Sequence, residues 1–214
     1  MPWQKLKRWS EASWKTEQVE AKRKKTGLYF GSFNPIHIGH LAIAAHMVEF
    51  SEVDELWFVV SPHNPLKEKK TLLADHHRLE MVRLAIGDDE RFHASDIEFR
   101  LPTPSYTIDT LAYLEEKYPG REFQLVMGAD GIRTFDKWKH SALIIQRYHR
   151  LIYPRPGVDE ALLRSAPNAT IVNAPLMEIS SSYIRQAIGE KRSVRHLVPD
   201  SCYHYMCDMH FYEK

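Results

Sequence analysis

Residues 31–41 read Gly-Ser-Phe-Asn-Pro-Ile-His-Ile-Gly-His-Leu. This run follows the apolar residues Leu28, Tyr29 and Phe30 and leads into residues 41–50, whose apolar positions recur at helical spacing. The pattern predicts a turn between a strand and a helix that begins near Gly39. Because the start of a helix presents free N–H groups and a partial positive charge, we expect a phosphate group to bind there.

Two glycines, a proline and two histidines support a phosphate site at this turn. Gly31 and Gly39 allow the backbone to approach a ligand closely, and Pro35 stiffens the chain. His37 and His40 are three residues apart, so both imidazoles can face one spot if the helix includes His37, and each can donate to a phosphate oxygen. A zinc site is the alternative, but the neighbouring sequence offers no third ligand at a spacing typical of metal sites.

The same run resembles the first signature of the nucleotidyltransferases that carry a HIGH motif. Their pattern is Gly-x-Phe-x-Pro-x-His-x-Gly-His. The sequence has the matching residue at every fixed position: Gly31, Phe33, Pro35, His37, Gly39 and His40. A Walker-type phosphate loop would need a lysine followed by a serine or threonine, and this run has neither.

The chain as a whole fits one ordinary domain. It has 214 residues, of which 27% are charged and 43% hydrophobic, and its net charge is +1. No apolar run reaches the ~20 residues of a membrane span. Two cysteines, Cys202 and Cys207, are too few for a disulfide framework. We therefore expect a cytoplasmic protein with neither a membrane nor a nucleic-acid partner, while its oligomeric state stays open.

Residues 1–25 differ in charge from the rest of the chain. They contain eight Lys or Arg and three Glu, a net charge of +5 against +1 for the whole chain, so the remainder carries −4. We expect a basic, mobile extension here, ahead of a single domain over residues 26–214. A basic arm that binds nucleic acid is the alternative.

Alternating strand and helix patterns begin at Gly27. Four further strands are predicted, at residues 55–60, 122–127, 150–153 and 170–172. Residues 75–86 read as a helix between the first two of these strands. Uninterrupted apolar strands joined by helices predict an α/β fold with a doubly wound parallel sheet, in which ligands bind beyond the carboxyl ends of the strands.

A second candidate anion site lies at residues 179–185, which read Ile-Ser-Ser-Ser-Tyr-Ile-Arg. Hydroxyl groups at a helix start can cap the helix and face an anion, and Arg185 lies one turn after Ser182. The run resembles the second signature of the same superfamily, Ile-Ser-Ser-Thr-x-x-Arg, with Ser182 in place of threonine. Together the two signatures imply a Rossmann-like fold of the nucleotidyltransferase type.

The stretches between the signatures resemble the nicotinate-mononucleotide adenylyltransferase family. They are a proline-rich loop with Lys67, Ser-Tyr-Thr-Ile-Asp-Thr-Leu at 105–111, Met-Gly-Ala-Asp at 127–130 followed by Trp138, and Arg-Pro-Gly at 155–157. From the residues alone, other roles stay open: Lys67 as a solvated side chain, Ser105 and Asp130 as helix caps and Trp138 as a core residue. The resemblance covers the chain from about residue 26 to its C-terminal end.

The resemblance implies adenylyl transfer from ATP to nicotinate mononucleotide, which gives deamido-NAD and pyrophosphate in NAD biosynthesis. The attacking 5′-phosphate is already anionic near neutral pH, so the protein aligns the reactants and neutralises charge without a general base. Mg²⁺, arriving with ATP, is the implied cofactor, and no separate metal site is expected in the protein.

The same resemblance implies a role for each candidate residue. The expected catalytic residues are His37, His40 and Arg185. The expected ATP-binding residues are Gly31, Ser32, Phe33, Gly39, Lys67, Ser181 and Ser182. The residues expected near nicotinate mononucleotide are Thr107, Asp130 and Trp138.

Several alternatives remain at this point. An adenylyltransferase for nicotinamide mononucleotide or pantetheine phosphate would share both signatures, because a sequence does not show which backbone groups meet a carboxylate or an amide. A non-catalytic nucleotide sensor would keep the fold, although its expected mark, degenerate catalytic residues, is not seen. A class I aminoacyl-tRNA synthetase would need a much longer chain and a lysine-rich second motif.

The C-terminal residues are expected to form a core helix after a run, residues 193–199, that resembles the end of the family pattern. The expected core stripe consists of Cys202, Tyr205, Met206 and Met209. The alternative is a zinc cluster of Cys202, His204, Cys207 and His210, whose members do not share one face of a helix.

Overall fold

A parallel sheet of six strands forms the centre of the fold. The computed structural model describes residues 23–62, 72–158 and 165–213. The strands are β1 (Lys24–Gly31), β2 (Glu55–Val60), β3 (Phe92–Ser95), β4 (Arg121–Gly128), β5 (Arg150–Tyr153) and β6 (Ala169–Ile171). The α-helices in these ranges are α1 (Ile38–Phe50), α2 (Asp75–Ile86), α3 (Thr107–Lys117), α4 (Ser141–Arg147), α5 (Ser181–Gly189) and α6 (Asp200–Asp208). Short 3₁₀ helices cover Ile97–Arg100 and Ala129–Lys137.

The strand order is β3-β2-β1-β4-β5-β6, and every neighbouring pair is parallel. This confirms the predicted doubly wound α/β fold. The order reverses between β1 and β4, which pair with Leu28 opposite Leu125. Loops that leave neighbouring strands on either side of such a reversal turn to opposite faces of the sheet, and the crevice between them is where ligands of these folds bind.

Both faces of the sheet are covered, which explains why the strands read as uninterrupted apolar runs. All six residues of β2 are buried. Tyr29 and Phe58 point into one layer of the core, with α1, α2, α5 and α6. Leu28 and Val59 point into the other, with α3 and α4.

The first strand begins two residues before residue 26, where the domain was expected to start. β1 begins at Lys24, which pairs with Arg121 of β4, and the backbone N–H of Lys25 donates to the Asp54 carboxylate at 2.7 Å. Sheet pairing therefore includes two lysines, Lys24 and Lys25, that were assigned to the extension. Residues 1–22 lie outside the described residues, so the expected mobile extension stays a prediction.

The C-terminal helix agrees with most of the predicted core stripe. Cys202 and Met206 are buried, and Tyr205 packs against the same core layer. Met209 is wrong as a core residue: it is 43% exposed, because α6 ends at Asp208 and the chain turns away there. Among the described residues, no group of three or more metal-ligating side chains is present, and no helix has the length and apolar character needed to cross a membrane.

Candidate active site

A cavity of about 730 Å³ lies beyond the carboxyl ends of β1, β4 and β5, where the strand order reverses. The structure brings ten of the predicted site residues to its lining: Gly31, Ser32, Phe33, His37, His40, Asp130, Trp138, Ser181, Ser182 and Arg185. Of the predicted residues that the structure describes, Gly39 and Thr107 do not line it. Lys67 lies outside the described residues.

The histidine pair is positioned by the start of α1. The helix begins at Ile38, so His37 is its N-cap residue, with an extended backbone, and is not part of the helix. The backbone N–H of His37 donates to Nδ1 of His40 at 3.2 Å, and the two rings stack with centroids 3.7 Å apart. Because Nδ1 of His40 accepts this bond, the neutral ring carries its proton on Nε2, which makes Nε2 a donor.

His37 is neutral at physiological pH. His37 is 4% exposed, and its pKa is lowered from 6.5 to about 4, mainly by burial and in addition by the positive charge of Arg155. A bound phosphate would counter both effects, since a nearby negative charge favours the imidazolium form. A bound anion would therefore raise the pKa of His37.

This low pKa predicts a pH-dependent stability. Between pH 6.5 and 4 the unfolded chain binds a proton at His37 and the folded chain does not, so stability is lost as the pH falls through this window. We expect His37→Gln to lose ~2–3 kcal/mol less stability than the wild type between pH 7 and pH 4.5. Urea unfolding at the two pH values measures this difference. Equal losses in both proteins would contradict it.

The ring of Phe33 packs against His40. The backbone of Phe33 has a φ of +44°, and its ring packs so closely over Gly31 that a Cβ there would lie 2.8 Å from Cζ. The same ring meets His40 edge-on, with centroids 5.2 Å apart. Gly31 therefore makes room for the Phe33 ring that contacts His40.

Gly39 does not line the cavity, but its lack of a side chain leaves space for the His37 ring. A Cβ at this position would lie 3.0 Å from Nδ1 and 3.1 Å from Cε1 of the His37 ring. We expect Gly39→Ala to displace the ring and lower kcat/KM by about tenfold. Helix propensity favours alanine by up to ~1 kcal/mol, so stability should stay level or rise.

Steady-state kinetics and thermal unfolding together test this expectation for Gly39→Ala. Gly120→Ala is a matched control, because nothing lies within 4 Å of the added Cβ. A Gly39→Ala protein with wild-type kcat/KM would show that the His37 ring position is not critical.

The second signature contacts the first. Ser180, which was not among the predicted site residues, caps α5 by accepting from the backbone N–H of Tyr183 at 3.2 Å. Ser181 donates to the carbonyl of Pro35 at 2.9 Å. The guanidinium of Arg185 donates to the carbonyl of Asn34 at 2.7 Å and to the hydroxyl of Ser182 at 3.3 Å. The amino ends of α1 and α5 thus meet at one cavity, which suits a polyphosphate.

The opposite wall of the cavity follows β4 and β5. The carboxylate of Asp130 folds over Gly128, where a Cβ would lie 2.4 Å from Oδ1. Trp138 packs against Phe135, with ring centroids 4.9 Å apart. Asp130 is the only carboxylate among the described lining residues. This wall therefore presents one negative charge next to the aromatic side chain of Trp138.

Two tyrosines and an arginine of this wall were missed from the sequence as site residues. The hydroxyls of Tyr29 and Tyr153 are 3.1 Å apart, and burial raises the pKa of Tyr29 well above its usual value. Arg155 donates to the carbonyl of Met177 at 3.3 Å and lies 3.8 Å from Asp130. A cation two residues after the end of a predicted strand was the available signal for Arg155.

Arg78 was also missed as a site residue. It is buried and forms hydrogen bonds to the loops around the site. Its side chain is fully buried on α2. The guanidinium donates to the carbonyls of Ser32, Ser61, Pro62 and Leu73 and to the carboxylate of Asp75, at 2.6–3.1 Å. The signal was its place four residues before Val82 on the buried stripe of the helix.

The region near Thr107 differs from expectation. α3 begins at Thr107 with Tyr106 at its N-cap, so Ser105 is not the cap. Ser105 is instead hydrogen-bonded to the buried carboxylate of Glu98, whose pKa is raised by burial. Thr107 is half-buried and does not line the cavity, and its expected contact with a mononucleotide stays a prediction.

Comparison with known proteins agrees with this geometry. Residues 28–187 match the model of the cytidylyltransferase-like family. A curated protein of Flavobacterium johnsoniae, named "Probable nicotinate-nucleotide adenylyltransferase", is 47% identical over 192 residues, covering 89% of this chain and 100% of the relative. The chain belongs to the nicotinate-nucleotide adenylyltransferase family. A relative of the same name from Bacteroides fragilis is 47% identical over 179 residues, covering 84% of this chain and 89% of the relative.

Solved structures show that the nicotinate-nucleotide adenylyltransferase fold is shared. Nicotinic acid mononucleotide adenylyltransferase of Plasmodium falciparum, in complex with NaAD, has a TM-score of 0.75 at 21% identity and covers 89% of this chain and 98% of its own. The same protein in complex with APC has a TM-score of 0.73. The resemblance drawn from the two signatures is thus confirmed for the family and for the fold.

Proposed function

We propose that this protein transfers the adenylyl group of ATP to the 5′-phosphate of nicotinate mononucleotide, giving deamido-NAD and pyrophosphate in NAD biosynthesis. Family membership supports the reaction. The observation that carries the proposal for this chain is the direct contact between its two signatures, with Ser181 bonded to Pro35 and Arg185 bonded to Asn34. This contact gathers two helix starts, two imidazoles and a guanidinium around one cavity.

The proposed chemistry follows from charge. An oxygen of the mononucleotide phosphate forms a bond to the α-phosphorus of ATP, while the bond from that phosphorus to the bridging oxygen of pyrophosphate breaks. Negative charge grows on the α-phosphoryl oxygens and on the leaving group. We assign Nε2 of His40 as a donor to the α-phosphoryl group, with His37 beside it, and Arg185 and Ser182 as the contacts of the leaving phosphates.

We propose that ATP enters as its Mg²⁺ complex, the ion being part of the substrate. Mg²⁺ is commonly held by one or two carboxylates together with substrate phosphates, and keeps several waters. Asp130 is the carboxylate that the described lining offers for this purpose. Bound in this way, Mg²⁺ would screen charge on the pyrophosphate.

The proposed acceptor site is the wall formed by Asp130 and Trp138. The indole of Trp138 offers a surface on which a flat pyridine ring can stack. Arg155 adds positive charge to the cavity, which suits a mononucleotide that is anionic at both its phosphate and its carboxylate.

A cytoplasmic location is part of this proposal, supported by two free cysteines, Cys202 and Cys207.

Pyrophosphate release tests the choice of acceptor. The purified protein is incubated with ATP, Mg²⁺ and, in separate reactions, nicotinate mononucleotide, nicotinamide mononucleotide or pantetheine phosphate. We expect kcat/KM to be highest with nicotinate mononucleotide. A higher value with either of the other acceptors would reassign the substrate, and release with none of them, despite ATP binding, would favour a nucleotide sensor.

A further inference from the structure

Asn34 lies in the loop between β1 and α1, residues 32–37, which we call the nucleotide-binding loop, and connects it to three other segments of the chain. Its side chain is 3% exposed, and its Oδ1 accepts from the hydroxyl of Tyr212 at 2.7 Å and from the backbone N–H of Leu73 at 3.3 Å. Its carbonyl accepts from Arg185 at 2.7 Å. The conformation of this one residue is therefore fixed jointly by the second signature, the segment before α2 and the C-terminal tail.

Tyr212 reaches Asn34 from a tail that is itself anchored. Phe211 is buried, and its ring packs against His77 and Tyr205 with centroids 4.8 and 5.6 Å away. Its backbone N–H donates to the carbonyl of Met206 at 3.0 Å. Tyr212 then adopts a φ of +64°, in the left-handed region that side chains other than glycine rarely occupy. Such a strained backbone persists only where the surrounding structure holds it, and residues of this kind cluster at functional sites.

The Tyr212 hydroxyl acts as a donor. Burial raises its pKa above the usual value, so it keeps its proton throughout the neutral range. A protonated hydroxyl beside the amide oxygen of Asn34 gives a bond of fixed direction. The guanidinium groups of Arg78 and Arg185 lie close enough to Tyr212 to lower its pKa in part, which places the hydroxyl within the group of residues that hold the loop.

We propose that Tyr212 is a positioning residue for ATP: its hydroxyl holds Asn34, and Asn34 in turn holds the guanidinium of Arg185 and the loop that ends at His37. The tail thus contributes to nucleotide affinity without touching the nucleotide. This inference rests on the proposed function only in that the cavity binds ATP. It requires neither a particular acceptor nor turnover.

Binding of an ATP analogue with a methylene bridge between the α- and β-phosphorus tests the inference directly. By calorimetry we expect Tyr212→Phe to bind the analogue about five- to tenfold more weakly than the wild type. In turnover assays the KM for ATP should rise by the same factor, with kcat within about twofold and the KM for the mononucleotide unchanged. A residue that only stabilises the fold would lower the melting temperature and leave these constants as they are.

Two further variants separate the specific bond from general loosening of the tail. Tyr205→Phe removes a neighbouring hydroxyl, bonded to His77 at 2.8 Å, and should keep wild-type affinity. In an Asn34→Ala background, Tyr212→Phe should cause no additional loss. Wild-type affinity in Tyr212→Phe, or equal weakening in both tyrosine variants, would overturn the inference. If the wild type binds the analogue but transfers no adenylyl group, the proposed function fails while the affinity comparison still decides the role of Tyr212.

Discussion

His40→Ala is expected to lower kcat by about 100- to 1,000-fold, the usual cost of removing one donor from a site that stabilises transition-state charge. Nδ1 of His40 is occupied by the backbone N–H of His37, which directs the proton of the ring to Nε2. The variant loses this donor and also the ring that stacks on His37. Because the charge on the α-phosphoryl group grows during the reaction, the KM for ATP should change far less than kcat.

Stopped assays of pyrophosphate release at saturating ATP measure the effect. The matched control is His46→Ala, which removes a histidine from the same helix at a distance from the cavity lining and should keep kcat within about twofold. Thermal unfolding of both variants separates chemistry from stability. A His40→Ala protein with more than a tenth of the wild-type kcat would contradict the role assigned to His40.

Arg78→Ala is expected to have the largest effect on stability, ~3–5 kcal/mol, which corresponds to a fall of roughly 10 °C in melting temperature. The fully buried guanidinium bonds to carbonyls at the ends of β1 and β2. Removing it leaves those carbonyls and the Asp75 carboxylate without their buried donor. Since Ser32 lies in the loop between β1 and α1 that we propose binds ATP, affinity for ATP should fall as well.

Two other substitutions define what Arg78 contributes. Arg78→Lys keeps the charge but has three donors on one nitrogen in place of a planar group with five, so we expect an intermediate loss of stability. Arg83→Ala removes an exposed arginine of the same helix, paired with Glu80 at 3.6 Å, and should cost less than ~1 kcal/mol. Similar melting temperatures for Arg78→Ala and Arg83→Ala would show that the buried network adds little.

Five of the six strands and several residues of the cavity could be predicted from the sequence because those features have local signatures. Buried parallel strands such as β2 read as apolar runs, and the two glycines of residues 31–40 make room for rings close by in the sequence: Gly39 for His37 and Gly31 for Phe33. Asp130 and Trp138 follow a predicted strand, and the family resemblance then assigned them to the mononucleotide.

The remaining features depend on contacts between distant parts of the chain. Arg78 lies 46 residues from Ser32, and Tyr212 lies 178 residues from Asn34. Local rules also failed where tertiary contacts compete for a side chain: Ser105 bonds to Glu98 and does not cap α3. Four-residue β3 was missed because only Ser95 in it is buried, which leaves no apolar run to detect.

The most direct test of the account follows the phosphorus atoms of ATP. Wild-type protein is incubated with nicotinate mononucleotide, Mg²⁺ and ATP carrying a radioactive label on either the α- or the γ-phosphorus, and the products are separated by chromatography. We predict that the α-label moves into deamido-NAD and the γ-label into pyrophosphate, and that both transfers are lost to the same extent in His40→Ala. Transfer of the γ-label to the mononucleotide, or release of the α-label as free AMP, would contradict adenylyl transfer at this site.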